Sequence, residues 1–117
     1  MIQRYQENTY LAQLVVYEGC FESSGQISLN PYASIQEQTK EILEHIDILL
    51  SSINANKTHI TRVQMWLNDM RDFYQMNEVY EAWLKNCPKP ARACVGATLI
   101  EGAKIEIQVF GYQKIDS

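Results

Sequence analysis

Residues 34–53 read Ser34-Ile35-Gln36-Glu37-Gln38-Thr39-Lys40-Glu41-Ile42-Leu43-Glu44-His45-Ile46-Asp47-Ile48-Leu49-Leu50-Ser51-Ser52-Ile53. Ile35, Ile42, Leu43, Ile46, Leu49, Leu50 and Ile53 recur at three- and four-residue steps, which is one apolar stripe along an α-helix. Ser34 and Glu37 fit a capping box, in which each side chain satisfies an N–H that the helix start leaves unpaired. Asn54-Ala55-Asn56-Lys57 closes the segment with polar residues. A helix with a single apolar stripe must lay it against another layer. The flanking sequence decides what that layer is.

On the N-terminal side, Tyr10 to Ile27 holds two apolar, β-prone stretches around Glu18-Gly19, which predicts a hairpin. Ser24-Gly25-Gln26 interrupts its second strand, where a glycine admits a bulge or a close backbone approach. Asn30-Pro31 ends this part as a turn. On the C-terminal side, Val63, Met65 and Leu67 alternate with Arg62, Gln64 and Trp66, a strand pattern over 58–67. Phe73, Met76, Tyr80, Trp83 and Leu84 return to helical spacing over 69–87, with Asp69 or Asp72 as the cap and Pro88 and Pro90 as the stop.

Two further strands follow. Ala93, Val95, Ala97 and Leu99 alternate with Arg92, Cys94, Gly96 and Thr98; Ile105, Ile107 and Val109 alternate with Glu106, Gln108 and Phe110. A turn at Glu101-Gly102 suggests that they pair as a hairpin. The predicted order is β-β-α-β-α-β-β, an α+β domain with one sheet and two helices on one face. The other face is then either covered by something else or unusually polar.

Composition bounds the function. At 117 residues the chain is one domain, 1–117, with little room for a deep private pocket. Ten Lys and Arg against 14 Asp and Glu give a net charge of −4 and no basic cluster, which argues against a nucleic-acid partner. No apolar run approaches a membrane span. The N-terminal residues Met1 to Asn8 lack the layout of a signal peptide, so the cytoplasm is expected. Three cysteines without a CxxC spacing, and histidines His45 and His59 remote from them, favour neither a disulfide framework nor a metal site. No cofactor is expected: GxGxxG, GxxxxGK[ST], HExxH and GxSxG are all absent from the sequence.

Strand parity singles out a few polar residues. Arg92 and Cys94 share one face of their strand, and Glu106 and Gln108 lie opposite Ile105 and Ile107. The planar fork of an arginine suits a carboxylate ligand. Spacing alone also fits a surface charge at Arg92 and a solvated carboxylate at Glu106. Cys94 as a nucleophile has no histidine at a readable partnering position, and the spacing favours a small buried apolar residue over that role. Asn77 fits either a backbone-binding side chain or an exposed polar position. Met65, Met70 and Met76 read as core filler.

Four blocks nevertheless resemble the Rid (YjgF) family together. They are Ser24-Gly25-Gln26-Ile27 after a hairpin, Asn77-Glu78-Val79-Tyr80-Glu81-Ala82-Trp83 in a helix, Pro90-Ala91-Arg92-Ala93-Cys94-Val95, and Lys104-Ile105-Glu106-Ile107. Their order and spacing cover residues 14–112. The resemblance implies a chorismate-mutase-like α+β fold assembled as a homotrimer, with the sheets lining a central barrel and the helices outside. It also implies hydrolysis of reactive enamines and imines, such as 2-aminoacrylate, to 2-oxo acids and ammonia in clefts between subunits.

By that resemblance Arg92 clamps the substrate carboxylate, and Glu106 orients or activates the attacking water. Cys94 lines the cleft, the Ser24-Gly25 backbone shapes its floor, and Asn77 braces the Arg92 segment. Tyr10, or Leu11, occupies the place of the aromatic in the Gly-Pro-Tyr run that many deaminase members carry and this chain lacks. Leu99-Ile100-Glu101-Gly102 stands where those members have a Leu-Pro-Lys turn, and Gly96 where they often have an acidic residue. The chain looks closer to a short branch of the family. A non-catalytic trimer that binds a small 2-oxo acid is the alternative.

Overall fold

Glu18 and Gly19 both adopt positive φ, 50° and 84°. This is the geometry of a tight turn whose twist matches the strands it joins. It folds β2 (Ala12–Tyr17) onto β3 (Cys20–Ser23), as the sequence predicts, with Val16 opposite Phe21. The computed structural model describes residues 1–114. Its remaining elements are β1 (Ile2–Glu7), β4 (Gln26–Ile27), α1 (Ile35–Ser51), β5 (Ile60–Leu67), α2 (Phe73–Trp83), β6 (Ala91–Gly96) and β7 (Ile105–Tyr112). Single 3-10 turns at Lys57–His59 and Met70–Asp72 lead into β5 and α2.

The strands form one sheet in the order β1-β2-β3-β7-β5-β6, with β4 pairing further along β7. Both helices pack on one face. Ile42, Leu43, Ile46, Leu49 and Leu50 of α1 and Met76 and Tyr80 of α2 join Val63, Met65, Leu67, Ile105, Ile107 and Val109 in a single core. The expected α+β layer is therefore present. The capping box is present too: Ser34 Oγ accepts from Glu37 N at 3.1 Å, and Glu37 Oε1 accepts from Ser34 N at 3.0 Å.

A buried amide locks the layers together. Gln38, with no exposed surface, donates through Nε2 to the carbonyls of Asn30 (2.9 Å) and Gly102 (3.0 Å) and accepts from Lys104 N at 2.9 Å. All three amide hydrogen bonds run to backbone, so a polar group sits in the core at little cost.

Three expectations need correction. The strand β1 was not anticipated. It is an edge strand on β2, five of its six residues are exposed, and so no apolar alternation marks it. The last two strands do not form a hairpin. β5 lies between them, antiparallel to β7 and parallel to β6. Parallel strands need a crossover, which α2 supplies; the turn at Glu101-Gly102 does form, with Ala103 N donating to Ile100 O at 3.0 Å, but it delivers β7 to the far side of β5. Finally, the second helix is shorter than 69–87. Asp69 caps the 3-10 turn, accepting from Arg71 N at 2.9 Å, while Asp72 occupies the cap of α2 with no side-chain bond. At its far end Lys57 Nζ donates to Trp83 O (2.5 Å), and Leu84 O accepts from both Cys87 N (3.0 Å) and Lys89 Nζ (2.7 Å), so the last carbonyls find partners beyond the helix.

Candidate functional site

The predicted site residues fall into three places in the chain. The first is the β6 edge. Arg92 pairs in register with Val63 of β5 and has no strand on its other side. Its side chain turns toward the helix layer, where Nη1 donates to Asn77 Oδ1 at 2.5 Å. The guanidinium carbon stands 5.0 Å from the Tyr80 ring centroid and 5.4 Å from that of Phe73. Among the described residues no carboxylate comes within 4.0 Å of it. A guanidinium carries five N–H donors, so most remain available.

Cys94 lies two residues on, on the same face and packed against the core. Burial raises its thiol above the usual range, and the nearby Arg92 charge opposes that shift. Tyr80 behaves likewise: burial raises its phenol, with Arg92 the opposing influence. A groove of 330 Å³ runs beside this cluster between Asn77, Tyr80, Leu84, Lys89 and Arg92. A larger apolar groove of 480 Å³ lies between the two helices at Leu43, Val79, Ala82 and Trp83, and includes none of the predicted site residues.

The second place is the opposite face of the sheet. Glu106 of β7 is half-buried, with Ile27 of β4 and Trp66 of β5 as its cross-strand neighbours. Gly25 lies directly against it: a Cβ built on Gly25 would stand 2.1 Å from Glu106 Oε2. The close approach that the sequence suggests for this glycine is therefore an approach to a carboxylate. Ser24 anchors the corner, donating from Oγ to Ala12 O at 2.6 Å and from N to Gln13 O at 3.0 Å. Gln108 Nε2 donates to Ser23 O at 2.9 Å.

Tyr10 occupies the third place, the tip of the β1–β2 turn, 92% exposed. Asn8 Oδ1 accepts from Tyr10 N (2.7 Å) and Leu11 N (3.0 Å). Leu11, 42% exposed, shares the turn.

The Arg92 place does not meet the other two within one chain, whereas the Ser24 corner, bonded to Ala12 and Gln13, adjoins the Tyr10 turn. Arg92 and Glu106 lie on opposite sheet faces, two strands apart and three residues out of register. That is roughly 10 Å across and 10 Å along the sheet. From β2, which follows the Tyr10 turn, to β6 is four strand spacings, roughly 19 Å. The structure thus brings together Arg92, Asn77 and Cys94, and separately Ser24, Gly25 and Glu106. Sequence reasoning missed the ring contacts of Phe73 and Tyr80. Their spacing with Asn77, at 73, 77 and 80, places all three on one helix face and was the available signal. Among the described residues no group of three or more His, Cys, Asp or Glu is arranged to hold a metal ion, and no helix is long and apolar enough to cross a membrane.

Comparison with known proteins agrees with this architecture. The endoribonuclease L-PSP family model matches residues 1–113. A RutC family protein of Haemophilus influenzae is 34% identical over 92% of this chain and 95% of its own length. A crystal structure of a YjgF family member from Neisseria meningitidis superposes with a TM-score of 0.92 at 30% identity, covering 100% of this chain and 98% of that one. A Rid family protein of unknown function from Yersinia pestis gives a TM-score of 0.86 at 27% identity, over 92% of this chain and 90% of its own.

Proposed function

The chain belongs to the YjgF/Rid family, also described as endoribonuclease L-PSP, and from that premise we propose that it hydrolyses small enamines and imines to 2-oxo acids and ammonia. The site is a cleft between copies in a cytoplasmic homotrimer. The observation that carries this reading is the state of Arg92: held by Asn77 and two aromatic rings, yet paired with no carboxylate among the described residues. Such a group suits the carboxylate of a 2-imino acid, bound through paired charge-assisted hydrogen bonds.

Glu106 supplies the second element. Because Arg92 and Glu106 face opposite ways in one chain, the guanidinium of one copy and the carboxylate of the next complete the cleft. Glu106 takes a proton from water as the oxygen adds to the imine carbon. That proton goes to nitrogen to give the carbinolamine; the carbinolamine hydroxyl then passes its own proton by way of Glu106 to the amino group, the C–N bond breaks as C=O forms, and ammonia leaves with the 2-oxo acid behind. Imines hydrolyse unaided, so positioning a water beside a fixed substrate suffices. Gly25, lacking a side chain, leaves room at the Glu106 carboxylate. Ser24, Cys94 and Tyr10 line the cleft.

The test is ammonia and 2-oxo acid release from imines generated in place by an amino-acid oxidase. Arg92→Ala should be slower by about ten- to a hundredfold, the loss of about 1.5–3 kcal/mol carried by a charge-assisted hydrogen bond. A wild-type protein no faster than the variant refutes the reading. Tyr10 favours a second reading: it stands free at a turn tip in a chain without the Gly-Pro-Tyr run. On that reading the trimer binds a 2-oxo acid at Arg92 without turnover, and saturable binding with no acceleration of imine hydrolysis selects it. Some relatives carry the name endoribonuclease. An RNA backbone calls for a basic groove, which a chain of net charge −4 is poorly composed to offer.

A further inference from the structure

We propose that Phe73 and Tyr80 are positioning residues for Arg92, an aromatic cradle that holds the guanidinium in place while leaving its charge free for a ligand. The inference rests on the reading of Arg92 as a carboxylate clamp and deepens it.

An arginine on an edge strand has a strand neighbour on one side only, and its long side chain loses considerable rotamer freedom if fixed. Here α2 does the fixing. Phe73, Asn77 and Tyr80 lie along one helix face, and each contacts the same guanidinium. Both rings lie within the distance at which the negative face of an aromatic attracts a cation. A carboxylate would hold Arg92 more strongly, but it would compete with any carboxylate ligand. Two rings and a neutral amide attract the guanidinium without neutralising it. Glu78 and Glu81 flank Asn77 and Tyr80 in the same helix, yet neither reaches within 4.0 Å of Arg92.

The ring, not the hydroxyl, is what position 80 contributes. Tyr80 is 8% exposed, and its hydroxyl is buried with no hydrogen-bond partner among the described residues. A phenol placed for hydrogen bonding would have one. The upward shift of the Tyr80 phenol, opposed by Arg92, agrees with a ring that feels the cation closely.

The experiment uses the full-length chain and 2-oxobutanoate as the probe, titrated calorimetrically. Tyr80→Leu removes the ring face and should weaken binding about two- to fivefold, the share of one exposed cation–π contact. Tyr80→Phe should bind as the wild type and melt no lower, since it removes only the unpartnered hydroxyl. The Arg92 Nε–H resonance provides a reading that mere structural damage would not imitate. It should lose its ring-current shift in Tyr80→Leu and keep it in Tyr80→Phe. If Tyr80→Leu fails to fold, Phe73→Leu, at a half-buried position, carries the same expectation. Wild-type affinity in a folded ring-to-Leu variant, with binding lost in Arg92→Ala, overturns the cradle and leaves the clamp standing. Equal loss in Tyr80→Phe and Tyr80→Leu overturns it too, in favour of the hydroxyl. Undiminished binding in Arg92→Ala overturns the clamp itself.

Discussion

Val63, Met65, Leu67, Ile105, Ile107 and Val109 occupy one face of β5 and β7 with no exposed surface. Gln64, Trp66, Glu106, Gln108 and Phe110 alternate with them on the other face, each half-buried, with Arg62 stacked on Phe110 at 3.9 Å. The first face is finished by this chain's own helices. The second carries rings large enough to benefit from burial, interleaved with amides and a carboxylate that need partners. Such a mixture is costly as a closed core and wasteful as open surface, but on the proposed trimeric reading it is the face that meets further copies around a polar interior. The apolar core of the fold thus lies on one side of the sheet, and of the two proposed reacting groups Arg92 sits on that side and Glu106 on the other.

That division can be broken at its strongest point first. Ile107→Ala, on the helix side, should cost about 2–5 kcal/mol, read from urea denaturation, with subunit association at a given folded fraction unchanged. Trp66→Glu, one strand away on the other face, should do the reverse if the proposed trimer forms: sedimentation should show dissociation while the monomer stays folded. If Trp66→Glu unfolds the chain and Ile107→Ala dissociates it, the two faces do not divide the work. Gly25→Ala sharpens the comparison within the second face. The added methyl displaces the mobile end of Glu106 and not backbone, so melting should change little. Hydrolysis should fall by up to about a hundredfold, as for a misplaced reacting group.

The smallest effect belongs to the helix side near Arg92. Burial raises the Cys94 thiol and the Tyr80 phenol above their usual ranges. In the unfolded chain both release protons earlier, at about pH 8.5 for the thiol and about 10 for the phenol. Stability is therefore full below those values and declines as pH climbs toward the folded-state ones. Cys94→Ala and Tyr80→Phe should flatten that alkaline decline in urea midpoint, and an unchanged slope would remove both groups from it.

How much of this could be read from sequence depended on how local the cause was. The start of α1 follows from Ser34 and Glu37, and the β2–β3 turn from Glu18-Gly19, because the interactions that make them span a few residues. The pairing of β6 with β5 was not legible, since Arg92 and Val63 meet through a crossover that no local pattern records. β1 escaped because an edge strand exposed on both sides has no apolar period to show. In the site, Gly25 was readable as a close approach, but its partner Glu106 lies 81 positions away. Arg92 and Asn77 were recognisable only as a family pattern. Phe73 and Tyr80 were hidden among the apolar positions of their helix, where a ring that packs and a ring that steers a cation look alike.

The opposed directions of Arg92 and Glu106 have a genetic consequence. On the proposed reading no subunit owns a whole site, so a chain defective at one position can still lend the other to its neighbour. Subunits bearing Arg92→Ala and subunits bearing a Glu106 substitution would each assemble into inert rings. Co-assembled, they would restore some intact clefts, and a mixture of the two defective chains would be more active than either alone.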